Sequence, residues 1–303
     1  MAQTSEPQRA LKEHLHSLTV TIGERSVSMP RNLLKTQRYI SSFFDALGIP
    51  AELEPFRYYD LPVANVIARI GPDEKPAARF LLGAHYDSVE GTVGADDNAS
   101  AVAVLLETAR QLAELARQKE LAVSVKCVAF ALEEPPVFTT RYMGSKVHAE
   151  GMRQRGEALD GMLCLEMVGY ACKTKGCQNY PFPLNFMRYP PQGDFIGIVG
   201  DFASRSLTRA IHQRFRQNPA LPAIPLTVPF SGWLLPSVRL SDHASFWDEG
   251  YRAVMITDTA FFRNPHYHLP SDTADTLDYG FMAELVRSLV LFFQTSSKGL
   301  PHP

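Results

Sequence analysis

With 303 residues, 45% of them hydrophobic and 20% charged, the chain has the composition of an ordinary soluble protein that can bury a sizeable core. Thirty basic against thirty-two acidic residues leave a net charge of -2, which excludes the basic footprint of a nucleic-acid binder. No apolar run approaches the ~18 residues of a membrane helix, and the opening MAQTSEPQRALKEHLHSL has no apolar stretch of the signal-peptide kind. A cytoplasmic chain that does not engage a membrane is the resulting expectation, with a secreted or periplasmic one as the alternative if a leader has been removed.

The predicted elements run as follows. Residues 7 to 18 and 30 to 46 read as helices. In the second, Pro30 suits the first turn, Leu33, Leu34, Tyr39, Ile40, Phe43 and Leu47 keep helical spacing, and Gly48 ends it. AELEPFRYY and PVANVIARI read as strands, and RFLLGAHYDS as a third whose near-continuous apolar run predicts cover on both faces. Asn98 and Ser100 suit a helix start. Val102, Leu105, Leu106, Ala109, Leu112 and Leu115 then form one apolar stripe. VKCVAFALEE is a strand, residues 144 to 155 a helix, and MLCLEMV a strand.

Residues 170 to 193, with four prolines and no periodicity, predict a long functional or mobile loop that could cover a pocket. FIGIVGD, a helix over about 203 to 217, PLTVP, YRAVMITDT and a last helix carrying Phe281, Leu285, Leu289, Phe292 and Phe293 complete the order. This alternation predicts a three-layer αβα fold around a central, largely parallel (mixed) twisted sheet. With no repeat or linker, it reads as one domain over 1–303, led by a helical segment at about 5–47. Cys127 and Cys164 lie in apolar runs and read as buried. Cys172 and Cys177 fit either a small disulfide loop or two free thiols.

Strand ends collect the chemistry. LLGA leads to His85, VAFAL to Glu133 and Glu134, MLCL to Glu166, and AVMITDT to the loop with His266 and His268. Ligands of open α/β sheets bind at the carboxyl ends of the strands, and a mixed histidine and carboxylate set suits zinc rather than calcium. On a strand Asp87 faces the same way as His85, so it either steers the imidazole or is simply a turn aspartate. Asp242 and His243 either support the site or contact substrate, with capping of a helix by Ser241 or Asp242 as the alternative. Phe230, Trp233, Phe246 and Tyr267 are candidates to line an apolar pocket, with Phe246 favoured for the core.

HYDS, GADDNASA, ALEE, the Gly144–Ser145 pair, LEMVGY, SDHASFW and NPHYHLPSDT follow the motif order of the di-zinc aminopeptidases. The chain therefore resembles the clan MH metallopeptidase family that includes bacterial leucyl aminopeptidases and glutamate carboxypeptidase, over residues 60 to 296. The resemblance implies two Zn2+ per chain and a peptide substrate with a free N-terminus. His85 and Glu166 would bind one ion, Glu134 and His268 the other, and Asp96 would bridge them. It also implies a cis peptide between Asp96 and Asp97. Glu133, left without a metal, is the expected general base. Two departures stand out. The spacer PPVFTTRYM before Gly144 is longer than in most relatives, which predicts a rebuilt pocket rim. Val238 also stands where some relatives have an oxyanion-stabilising tyrosine, which leaves that role unassigned. Glutaminyl cyclisation and a non-catalytic binding module on the same scaffold are the alternative functions.

Overall fold

The computed structural model describes residues 5–296. Helices α1 (Glu6–His16) and α2 (Pro30–Ala46) precede strands β1 (Glu52–Tyr58), β2 (Leu61–Ile70) and β3 (Arg79–His85). Then come α3 (Ala101–Arg117), β4 (Ser124–Phe130), α4 (Gly144–Gln154), β5 (Gly161–Glu166), β6 (Ile196–Asp201) and α5 (Arg205–Phe215). The chain closes with β7 (Ala223–Val228), α6 (His243–Asp248), β8 (Ala253–Thr257) and α7 (Tyr279–Thr295). No helix among the described residues is long and apolar enough to cross a membrane.

All the strands join one eight-stranded sheet in the order β1-β2-β4-β3-β5-β8-β6-β7. Strands β4, β3, β5 and β8 form its parallel centre. The β1–β2 hairpin pairs antiparallel with β4, and on the other side β6 runs antiparallel to β8 with β7 parallel to β6. The sheet is thus mixed, as expected. The chain leaves β3 for β4 on one side and then crosses back to β5 on the other, so the end of β3 is the point where strand order reverses.

Alternation along the central strands divides two cores. Phe80, Leu82, Ala84, Val125, Cys127, Ala129, Leu163 and Leu165 pack on one face with residues of α1, α2, α3, α5 and α7. Leu81, Val128, Phe130, Met162 and Cys164 pack on the other with Met152 of α4 and Phe246 and Trp247 of α6. Both faces are covered, which is why these strands read as continuous apolar runs. Gly83 is required where β3 meets β4: a Cβ there would lie 2.5 Å from the ring of Phe130.

Residues 170 to 193 form the predicted irregular loop, apart from a single short 3-10 turn at Leu184–Phe186. Cys172 and Cys177 are joined in a disulfide, which decides between the two alternatives, while Cys127 and Cys164 are free and buried. The residues pair-bonded at the loop's base are Cys172 and Gly193.

Candidate metal centre

Five polar side chains meet at the carboxyl end of the sheet. His85 and Glu166 are the last residues of β3 and β5, Glu133 and Glu134 follow β4, and His268 lies in the loop after β8. A sixth, Asp97, comes from the turn between β3 and α3. His85 Nε2 lies 3.5 Å from Asp97 Oδ1, 3.5 Å from Glu166 Oε2 and 3.8 Å from Glu133 Oε2. On the other side, His268 Nε2 lies 3.1 Å from Asp97 Oδ2 and 3.4 Å from Glu134 Oε2. Asp97 therefore offers one oxygen to each of two donor groups, His85–Asp97–Glu166 and Asp97–Glu134–His268. A third group, His85–Glu133–Glu134, overlaps both.

Here the expectation for Asp96 is corrected. Its carboxylate turns away from the cluster, with Oδ1 accepting from the Gly169 N–H at 2.8 Å and Oδ2 from Asn264 Nδ2 at 2.6 Å. The cis peptide likewise falls one residue later than expected, between Asp97 and Asn98. The local cause is a turn that is not helical: Asp97 (φ -104°, ψ 88°) and Asn98 (φ -132°, ψ 31°) leave the α region before α3 begins. Asn98 locks this turn to β5, donating to Leu165 O and accepting from Met167 N.

Hydrogen bonds from behind fix the donors. Asp87 Oδ1 is 3.3 Å from His85 Nδ1, and the same carboxylate accepts the backbone N–H groups of Glu133 and Glu134, each at 3.0 Å. Asp87 thus does more than the expected steering of one imidazole. Asp272 plays the matching part on the opposite side, accepting from Asp96 N at 2.8 Å and Asp97 N at 3.1 Å. Ser241 Oγ donates to Glu166 Oε2 at 2.6 Å. Asp242 caps nothing: it is fully buried and its side chain makes no capping bond to α6. His243 Nε2 pairs with Val238 O at 2.8 Å, and burial pushes its pKa down to about 3.

The electrostatics are those of a site with more buried carboxylates than counter-charge. Burial pushes Glu133 well above the ordinary carboxyl range, and Glu134 and Glu166 push it the same way. Burial, with Asp97 close by, raises Glu134 to about 8. Burial works against Asp97 too, yet His268 and His85 hold it down at about 2. His268 rises to about 10 despite its burial, because Asp97 and Glu134 favour its charged form. Buried carboxylates without enough counter-charge must take up protons or cations. His85 Nε2 and Glu134 Oε1 are buried without any hydrogen-bond partner. Oxygen and imidazole donors in two groups of three fit zinc.

Beside the cluster opens a cleft. Glu166 and Tyr267 connect it to the donors, and Phe195, Val199, Ile224, Leu226 and Met255 give it an apolar wall. Tyr180, Pro181, Leu184 and Tyr189 of the irregular loop also line it, so that loop covers the cleft as expected. Of the four candidate aromatics only Tyr267 lines it. Phe246 is core, while Phe230 and Trp233 are 71% and 67% exposed and lie outside the lining. The PPVFTTRYM spacer is not part of this wall either; its Tyr142 packs on Tyr58 and Tyr59 of the β1–β2 hairpin.

Three residues of the site are not singled out by their own spacing. Asp97 was hidden beside Asp96, and Asp272 sits inside the quoted NPHYHLPSDT motif, where its neighbourhood was the available signal. Ser241 shares that position in SDHASFW.

The chain is similar to several known proteins. YfbL of Escherichia coli (strain K12) is 37% identical over 97% of this chain and 91% of its own length. A probable leucine aminopeptidase 1 of Trichophyton verrucosum is 27% identical over 77% of this chain, which spans only 58% of that protein. LapB of Legionella pneumophila superposes with a TM-score of 0.73 at 20% identity, covering 98% of this chain and 72% of LapB. A glutaminyl cyclase of Porphyromonas gingivalis gives 0.69 at 18% identity, covering 95% and 99%. At such identities the structural likenesses speak for the fold alone. Peptidase family M28 matches residues 65–292, a stretch that holds all six clustered side chains, and the chain belongs to that family.

Proposed function

We propose that this M28 peptidase is an aminopeptidase with two zinc ions, acting on peptides whose free N-terminal residue is apolar. The observation that carries the reading is the division of Asp97 between two donor groups, one oxygen facing each histidine. His85, Glu166 and Asp97 would hold one ion, and Glu134, His268 and Asp97 the other. When bound, zinc supplies Lewis-acid polarisation of a carbonyl and makes water more acidic.

Glu133 is the residue for proton transfer. It lies within the cluster but outside both groups that share Asp97. Its carboxylate can accept a proton from water and return it to the departing amine. Asp87 holds the Glu133 backbone in place and pairs with His85 through the same oxygen, so base and ligand keep a fixed relation. The cleft next to Glu166 has an apolar wall and no other charged lining residue, which favours a leucine- or phenylalanine-sized side chain over an acidic one.

The reading is tested by metal analysis together with hydrolysis of leucyl, phenylalanyl, alanyl and glutamyl p-nitroanilides. Two zinc ions per chain and a preference for the first two substrates are expected. Pyroglutamate formation from a glutaminyl peptide without hydrolysis would favour a cyclase instead. No zinc, and no turnover after adding it, would leave a non-catalytic scaffold.

A further inference from the structure

Arg25 lies outside the M28 match, in the segment between the first two helices, yet it is fully buried. Its guanidinium donates only to backbone carbonyls: Nε to Tyr86 O at 2.8 Å, Nη1 to Val93 O at 2.7 Å, Gly23 O at 3.1 Å and Leu18 O at 3.2 Å, and Nη2 to Gly94 O at 3.0 Å. Its own backbone N–H donates to Ser88 Oγ at 3.0 Å, and that hydroxyl donates on to Thr92 O at 3.2 Å.

Three of these carbonyls, on Tyr86, Val93 and Gly94, bracket the loop that begins directly after His85 and ends three residues before Asp97. One planar fork therefore spans the two ends of the segment that separates two proposed ligands. The loop leaves little slack: Gly94 has φ +49°, and a Cβ there would sit 2.1 Å from Asp97 O. Only arginine offers five N–H donors in a rigid plane; lysine offers three on a flexible stem. Asp272 holds the same turn from the other side through the N–H groups of Asp96 and Asp97.

Charge adds to geometry. Among the described residues Arg25 makes no ion pair, and it stays cationic at neutral pH although burial lowers its pKa to about 10. Asp87, Asp272, Asp97 and Glu134 are the carboxylates whose field it feels. A cation held by carbonyls alone leaves its charge free to act on that acidic cluster.

We propose that Arg25 is a positioning residue for the metal centre: its fork sets the separation of His85 and Asp97, and its charge allows the carboxylates to crowd together before metal arrives. This rests on the zinc reading above. Zinc affinity is measured by competition with a chromophoric chelator for the parent, Arg25→Lys, Arg25→Gln and Leu207→Ala. The last is a core variant in α5 that lowers stability away from the site. All measurements are made well below each variant's melting temperature. Both Arg25 variants should bind zinc about ten- to hundredfold more weakly, and the visible spectrum of their cobalt-loaded forms should change. Leu207→Ala should match the parent in both. If the Arg25 variants lose no more affinity than Leu207→Ala, the inference is wrong while the zinc reading stands. A parent that takes up no zinc defeats both. Should neither Arg25 variant fold, Ser88→Ala decides: a several-fold loss of affinity supports the clamp, and parental affinity overturns it.

Discussion

Asp96 and Asp97 are neighbours in the chain with opposite assignments: Asp97 reaches His85 and His268, while Asp96 is spent on Gly169 N and Asn264 Nδ2. The two should therefore fail differently when neutralised. Asp97→Asn is expected to lower zinc from two ions per chain to one or none while the fold persists. Asp96→Asn should keep both ions and instead cost about 1–3 kcal/mol, because its amide must face a donor it cannot accept. Metal analysis beside urea unfolding checks this, and the reverse pattern would restore Asp96 as the ligand.

Glu133→Gln tests the proton-transfer role. The amide keeps the shape and the hydrogen bond from the Glu133 backbone to Asp87, so zinc content and KM should stay near parental values. Turnover should fall by about 10²–10⁴. A variant that hydrolyses leucyl p-nitroanilide at the parental rate would remove Glu133 from the mechanism.

The cleft makes a prediction about selectivity. Leu226→Trp places a larger ring in its apolar wall. For phenylalanyl and leucyl substrates kcat/KM should drop by about tenfold or more, with a smaller change for alanyl ones, since a methylene-sized misfit is worth about 10- to 200-fold. Equal losses on all substrates would mean that the first side chain binds elsewhere.

Stability should depend on pH through a group far from the donors. His14 is buried, with Nδ1 2.7 Å from the Tyr39 hydroxyl and its ring edge-on to Phe43. Burial lowers its pKa to about 4 from 6.5. The unfolded chain thus binds the proton more readily, and stability from the neutral imidazole is complete above pH 6.5 and lost as pH falls toward 4. The shift corresponds to about 3 kcal/mol. Urea midpoints across that window should fall less steeply for His14→Gln than for the parent; parallel slopes would contradict the assignment.

Much of this was legible in the residues because strand ends are easy to find. The apolar runs of β3, β4 and β5 stop at His85, just before Glu133, and at Glu166, and in a parallel centre those stops must converge. His268 was reachable only through the motif around it, as nothing periodic links it to β8. The choice between Asp96 and Asp97 depends on backbone angles in a single non-helical turn, and neither spacing nor propensity encodes them. The antiparallel run of β6 was equally hidden, since the direction of a strand after a 24-residue irregular stretch leaves no local trace. Phe230 and Trp233 misled because aromatic residues near a motif need not face it. Arg25 gave no signal at all: its partners are carbonyls, which every sequence has.

The six clustered side chains emerge from synthesis in the order 85, 97, 133, 134, 166 and 268. A chain synthesised only as far as residue 267 has one histidine of the cluster and not the other. Both donor groups are complete only once the chain has passed His268, so a chain that stops before it would keep the His85 group and lack a member of the other.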